Sequence, residues 1–133
     1  MSDVGGGSSG RTRWTGPELG AFQAAFSLHL TAGASGPDAP EVEIGMVVSG
    51  GEVYVRAQRG IASQWYRASK RHGSGRVRLG DVSFDVLLSD AAPSALPAID
   101  DAYRRKYGGL ASFGPGARAA TLRLDPRRPA GAI

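Results

Sequence analysis

The residues best suited to chemistry lie in one stretch, Val53-Tyr-Val-Arg-Ala-Gln-Arg-Gly60, followed by Ser63 and by Trp65-Tyr-Arg67. A strand is expected to end near Ala57. Gly60 lets the chain turn, and a helix is expected to start near Ala62 or Ser63. Free N–H groups at a helix start carry partial positive charge and point outward. Arg56 and Arg59, on the incoming strand and turn, add forked donors, and Ser63 adds a hydroxyl. Together these groups make a seat for a phosphate or carboxylate, so the expected partner is an anionic small molecule. The plainer reading pairs Arg59 with an acid such as Asp85 or Asp100.

The stretch sits inside a block of one sign. Between Val53 and Gly80 stand Arg56, Arg59, Arg67, Lys70, Arg71, Arg76 and Arg78, with no Asp or Glu among them. Glu41, Glu43 and Glu52 precede the block, and Asp81, Asp85 and Asp90 follow it. A block of this kind either aims a positive field at an anion or forms a solvated face. Nucleic-acid binding, with Trp65 and Tyr66 as stacking groups, ranks lowest, because both rings fall on an expected helix and not on a sheet platform. Being adjacent, they point in different directions, and at least one is expected in the core.

Acid–base groups are sparse. His29, on the face of its strand opposite Leu28 and Leu30, is a candidate base, with Tyr54 and Asp85 as further catalytic candidates and Glu43 in reserve. His72 suits the C-terminal end of a helix. The two histidines lack partners at metal-ligand spacing, so no metal site is expected. The chain has no cysteine, which excludes disulfides, thiolate nucleophiles and Cys-ligated zinc.

The elements that must position these groups read mainly as strands. Thr15-Gly-Pro-Glu18 has the form of a capping box, and Leu19, Phe22, Ala25 and Phe26 follow at helical spacing. Strands are expected over Ser27–Ala32, Glu41–Ser49 (Val42, Ile44, Met46 and Val48 on one face), Glu52–Ala57, Arg76–Leu79, Val82–Ser89 and Ala119–Leu124. Gly50-Gly51 and Gly80-Asp81 read as hairpin turns. Helices are expected over Ala62–Arg71 and Pro97–Tyr107, the latter capped by Gly108-Gly109. Tyr103 and Tyr107, four apart, are expected to pack on the barrel.

No βαβ run appears, so the pattern predicts a mainly β, α+β fold: an antiparallel sheet closing into a barrel, with two or three flanking helices. The 133 residues suit one domain. A Gly/Ser-rich tail is expected over residues 1–13, the barrel domain over 14–126 and a C-terminal tail over 127–133. No apolar run is long enough for a membrane span, the first residues lack the apolar core of a secretory signal, and a cytoplasmic setting is expected.

Four segments carry a family resemblance: Val53–Gly60, Trp65-Tyr-Arg67, Gly75-Arg-Val-Arg-Leu-Gly80 and Ile99-Asp-Asp-Ala-Tyr-Arg-Arg-Lys-Tyr-Gly108. With the closing Ala120–Pro126, the chain from Trp14 to Pro126 resembles an uncharacterised bacterial domain family. That family is similar to the deazaflavin-dependent nitroreductases and the pyridoxamine-phosphate-oxidase-like split barrels. The resemblance implies a six-stranded split barrel that forms a homodimer. It also implies a flavin such as FMN, or a deazaflavin, with its phosphate near the turn after the third strand. By position, Arg56, Arg59, Gly60 and Ser63 would lie at that phosphate. Trp65, Tyr66 and Arg67 would complete the cofactor-binding set. The chain departs from the pattern at Gly45-Met46, where an aromatic residue is expected, and in a short segment after Tyr107.

Two functions follow. One is a flavin- or deazaflavin-dependent oxidoreductase, in which the cofactor carries the hard chemistry and the protein holds it. The alternative is a cofactor-free enzyme of the cyclase or isomerase type in secondary metabolism, using the same pocket. The two departures favour the second.

Overall fold

The computed structural model describes residues 12–33, 40–108 and 114–128. Parts of the expected tails, of the loop after Ala32 and of the glycine cap at Gly109 lie outside these residues.

The first helix, α1 (Gly16–Ala24), starts as its capping box dictates. The Glu18 amide donates to the Thr15 hydroxyl at 3.2 Å, and the Thr15 amide donates back to the Glu18 carboxylate at 2.8 Å. Its one buried side chain, Phe22, meets the Trp14 ring edge-on at 4.8 Å. Full burial of such a ring contributes ~1.5–3 kcal/mol.

Seven strands follow: β1 (Leu28–Ala32), β2 (Val42–Ile44), β3 (Met46–Ser49), β4 (Glu52–Arg56), β5 (Ser74–Leu79), β6 (Val82–Asp90) and β7 (Thr121–Pro126). They form one antiparallel sheet in the order β2-β1-β5-β6-β7-β4-β3. The two edge strands, β2 and β3, are consecutive in the chain and joined by Gly45 alone. The sheet therefore curls until its edges nearly meet, and Gly45 is the hinge of the closure. This corrects the expected count of six: Glu41–Ser49 is two strands on opposite edges. Its alternating apolar pattern conceals the break, because both halves turn residues toward the same interior.

The barrel interior is filled by Leu28, Leu30, Met46, Val53, Val55, Val77, Val86, Leu122 and Leu124, all buried. A second core lies outside the barrel wall. There Val47 and Tyr54 are covered by Ile99, Ala102 and Tyr103 of α3 (Leu96–Tyr107). Two further helices flank the open side: α2 (Gln64–His72), entered through a tight turn at Gly60–Ala62, and the short α4 (Pro115–Ala119). The sequence pattern did not reveal α4, whose Gly-Pro-Gly start reads as loop, and β7 runs on to Pro126. Among the described residues no helix is long and apolar enough to cross a membrane.

Candidate functional site

The closure at Gly45 opens a cleft. β3 pairs with β4 up to Met46 and Val55, and β2 then leaves to pair with β1 while the other strand continues through Arg56 into the turn. The gap is a cleft of about 1360 Å³. One wall is Val42–Gly45 with Phe26 and Ser27. The other is formed by Arg56, Gln58, Arg59 and the Ala62–Trp65 segment, and Tyr103 and Tyr107 of α3 line it as well.

The turn takes its shape from Gly60, whose φ of +79° suits glycine. A Cβ there would also come 3.3 Å from the Gly116 carbonyl oxygen at the start of α4. Gly60 is thus buried against α4 and shapes the site without lining it. Ser63 precedes α2 and makes no side-chain cap, and the amides of a helix's first turn have no intrahelical acceptor.

The basic residues divide sharply. Arg56 is almost fully buried. It donates from Nε to Thr121 Oγ1 at 2.8 Å and pairs through Nη1 with Asp100 Oδ1 at 2.8 Å. Its guanidinium lies 5.1 Å from the centre of the Tyr103 ring. Asp100 also holds Arg118 at 2.9 Å. Outside the cleft, Lys70 pairs with Asp90, Arg76 with Asp85 and Arg78 with Glu41. Arg59, by contrast, is exposed, lines the cleft and has no ion-pair partner among the described residues. The expected pairing of Arg59 with Asp85 or Asp100 is not what forms: Arg56 takes Asp100 and Arg76 takes Asp85.

Trp65 is half-buried and lines the cleft, whereas Tyr66 belongs to the barrel core. Their rings meet edge-on at 6.4 Å. Arg67 is exposed on α2 and does not line the cleft. Of the expected cofactor set, the fold therefore brings Arg56, Arg59, Ser63 and Trp65 to one hollow and leaves Gly60, Tyr66 and Arg67 outside its surface.

The three catalytic candidates lie elsewhere. His29 pairs across the sheet with Glu43 and Arg78, on the face opposite buried Leu28 and Leu30, and does not line the cleft. Tyr54 is buried beneath α3. Asp85 is exposed on β6, paired with Arg76 and beside a small hollow near Arg127. Among the described residues no three His, Cys, Asp or Glu side chains gather as a metal cluster.

Sequence reasoning missed the far wall. Tyr103 stacks on Tyr107 at 5.7 Å, and Tyr107 meets Phe26 edge-on at 5.1 Å, so an aromatic row borders the cleft. The i,i+4 spacing of the tyrosines marked a shared face but not the cleft edge it borders. Tyr107 also closes the split. Its hydroxyl accepts from the Met46 amide at 2.9 Å and lies 2.7 Å from the Phe26 carbonyl, to which it can donate. A Cβ at Gly45 would fall 2.9 Å from that hydroxyl, so a side chain there would push the tyrosine out of its present place. Beside it, Lys106 donates to the Phe22 and Met46 carbonyls at 3.1 and 2.9 Å. Burial lowers its pKa to about 8.

Glu43 stands on the β2 wall and accepts a 2.5 Å hydrogen bond from the Ser27 hydroxyl. It is the one carboxylate among the described residues lining the cleft.

A nearly closed antiparallel barrel, open at one hinge and flanked by helices, is the pyridoxamine-phosphate-oxidase-like split barrel. Residues 18–124 match the family described as an uncharacterized protein conserved in bacteria (DUF2255), and the chain belongs to that family. Several solved structures share the fold, three of which follow. The conserved hypothetical protein Rv2991 of Mycobacterium tuberculosis has a TM-score of 0.62 at 14% identity, over 91% of this chain and 86% of that one. HutZ, the heme storage protein of Vibrio cholerae, has a TM-score of 0.60 at 15% identity, over 86% of this chain and 91% of that one. A candidate pyridoxamine 5'-phosphate oxidase of Listeria innocua has a TM-score of 0.56 at 14% identity, over 82% of this chain and 88% of that one. No curated protein matches the chain.

Proposed function

We propose that the cleft holds a phosphate-bearing flavin or deazaflavin, FMN being the simplest, and that the protein is an oxidoreductase built on it. The observation that carries this reading is Arg59, an exposed arginine without an ion-pair partner on the same cleft wall as the uncapped start of α2. Backbone amides at a helix start and a forked guanidinium are complementary to a phosphate. The residues present fit such a group. The seat suits the phosphate, and Trp65, Tyr107 and Phe26 offer ring faces and edges to a planar ring system. At about 1360 Å³ the cleft exceeds the roughly 300–1,000 Å³ of an ordinary small-molecule site, leaving room for a substrate beside a cofactor.

The bound cofactor would supply the electron transfer. This chain's own residues would do the holding. Arg59 and the α2 amides would bind the phosphate, the aromatic row would orient the ring, and Arg56, buried and fixed by Asp100 and Thr121, would brace the wall behind them. The test is the absorbance spectrum of the purified protein, with mass analysis of material released on denaturation, followed by titration with FMN and with a deazaflavin. Stoichiometric flavin or deazaflavin, or saturable uptake of one, is expected. A colourless protein that takes up neither would overturn the proposal.

A second reading uses the cleft without a cofactor, on an anionic substrate. It is favoured by Glu43, a carboxylate in the cleft with no ion-pair partner among the described residues, which can act as a base. This reading expects a colourless protein.

A further inference from the structure

We infer that Glu43 is a specificity-determining residue that selects ligands carrying a protonated amine, so that the cleft reads charge of both signs: an anion at Arg59 on one wall and a cation at Glu43 on the other. The inference rests on the cleft being a ligand site and not on which cofactor, if any, it holds.

Three observations carry it. The first is charge. Of the formally charged side chains lining the cleft, Arg56 is already engaged by Asp100 at 2.8 Å, a carboxylate it shares with Arg118. That leaves Arg59 and Glu43, which come from opposite walls and have no ion-pair partners among the described residues. The second is aim. Glu43 is exposed, and Ser27 donates to its Oε2 at 2.5 Å, which engages one oxygen while Oε1 has no donor among the described residues. A carboxylate held on one oxygen accepts a charge-assisted bond on the other with less ordering cost. The third is surroundings. Phe26, Ile44 and Tyr107 line the same cleft as Glu43, and the apolar body of an amine can rest on them. An ammonium is also attracted to an aromatic face.

Neighbouring carboxylates do not compete for the role. Asp100 does not line the cleft and is occupied by two arginines, and Glu41 is engaged by Arg78. His29 is the register partner of Glu43, yet the two form no ion pair.

The test is a pair of matched probes, O-phosphotyramine and 4-ethylphenyl phosphate, which differ in the ammonium group. Each is titrated calorimetrically into the full chain and into Glu43→Gln, Ser27→Ala and Arg59→Ala. The wild type should prefer O-phosphotyramine by about tenfold, as one charge-assisted bond predicts. Glu43→Gln should lose that preference through weaker binding of O-phosphotyramine. Ser27→Ala should keep only part of the preference. Arg59→Ala should weaken both probes equally. If the wild type binds both probes alike, or Glu43→Gln still discriminates, the role of Glu43 is overturned and the cleft reading stands. If the wild type binds neither probe, both fall.

Discussion

Asp100 Oδ1 lies 2.8 Å from Arg56 Nη1, and Asp100 Oδ2 lies 2.9 Å from Arg118 Nε. One carboxylate of α3 thereby ties β4 to α4 and removes Arg56 from competition for a ligand, which leaves Arg59 as the cation on offer. Breaking a buried pair leaves a charge without compensation at a cost of ~3–5 kcal/mol. Asp100→Ala should lose about that much stability in urea denaturation, whereas Asp101→Ala, whose carboxylate pairs on the surface with Arg104, should lose under about 1 kcal/mol. Equal losses would mean that the Arg56 pair does not hold the fold.

Arg59→Ala should behave in the opposite way. The side chain is exposed and unpaired, so stability should change by less than about 0.5 kcal/mol. Affinity for FMN, measured by calorimetry, should fall by the ~1.5–3 kcal/mol of a hydrogen bond to a charged group. Arg67→Ala, on α2 but outside the cleft, is the control and should leave affinity unchanged.

The hinge makes a third prediction. Gly45→Ala places a Cβ 2.9 Å from the Tyr107 hydroxyl and 3.1 Å from its ring carbon. Tyr107→Phe removes the hydroxyl but deprives the Met46 amide of its acceptor, at ~1–3 kcal/mol. The double variant should be less destabilised than the sum of the singles, because the second change relieves part of the clash made by the first. Strict additivity would contradict the close approach.

Lys106 governs a pH dependence. Burial brings its pKa to about 8, from 10.5 in an open chain. The unfolded chain therefore binds more protons between these values, and stability rises with pH across that window. Below about pH 8 the folded protein carries a charge that its surroundings disfavour. Denaturation profiles should show this rise in the wild type and lose it in Lys106→Met. Burial also raises the Tyr107 pKa above 10, which opposes the trend at the alkaline end, so the comparison is best made between pH 7 and 9.5.

What the sequence made legible was local. The Thr15–Glu18 capping box, the glycine turns and the alternation of Val53 and Val55 depend on neighbours a few residues away, and the structure has them. The break at Gly45 was hidden because Val42, Ile44, Met46 and Val48 keep a single period across it. Val47 and Tyr54 fall outside a strand pattern with one buried face, since α3 covers the outer wall there. The choice between Arg56 and Arg59 was also beyond local reading. Both suit an anion, and only the fold brings Asp100, forty-four positions away, to Arg56. Glu43 reached the cleft because β2 leaves β3 at the hinge, a fact of topology and not of spacing.

The proposed anion seat lies where the turn at Gly60 meets the start of α2. Titration with FMN, followed through the amide resonances, probes that seat residue by residue. Saturable shifts are expected at Arg59, Ser63, Gln64 and Trp65, with residues 82–90 on the far side of the barrel unmoved. Shifts confined to the far side, or no shifts at any concentration, would rule the seat out.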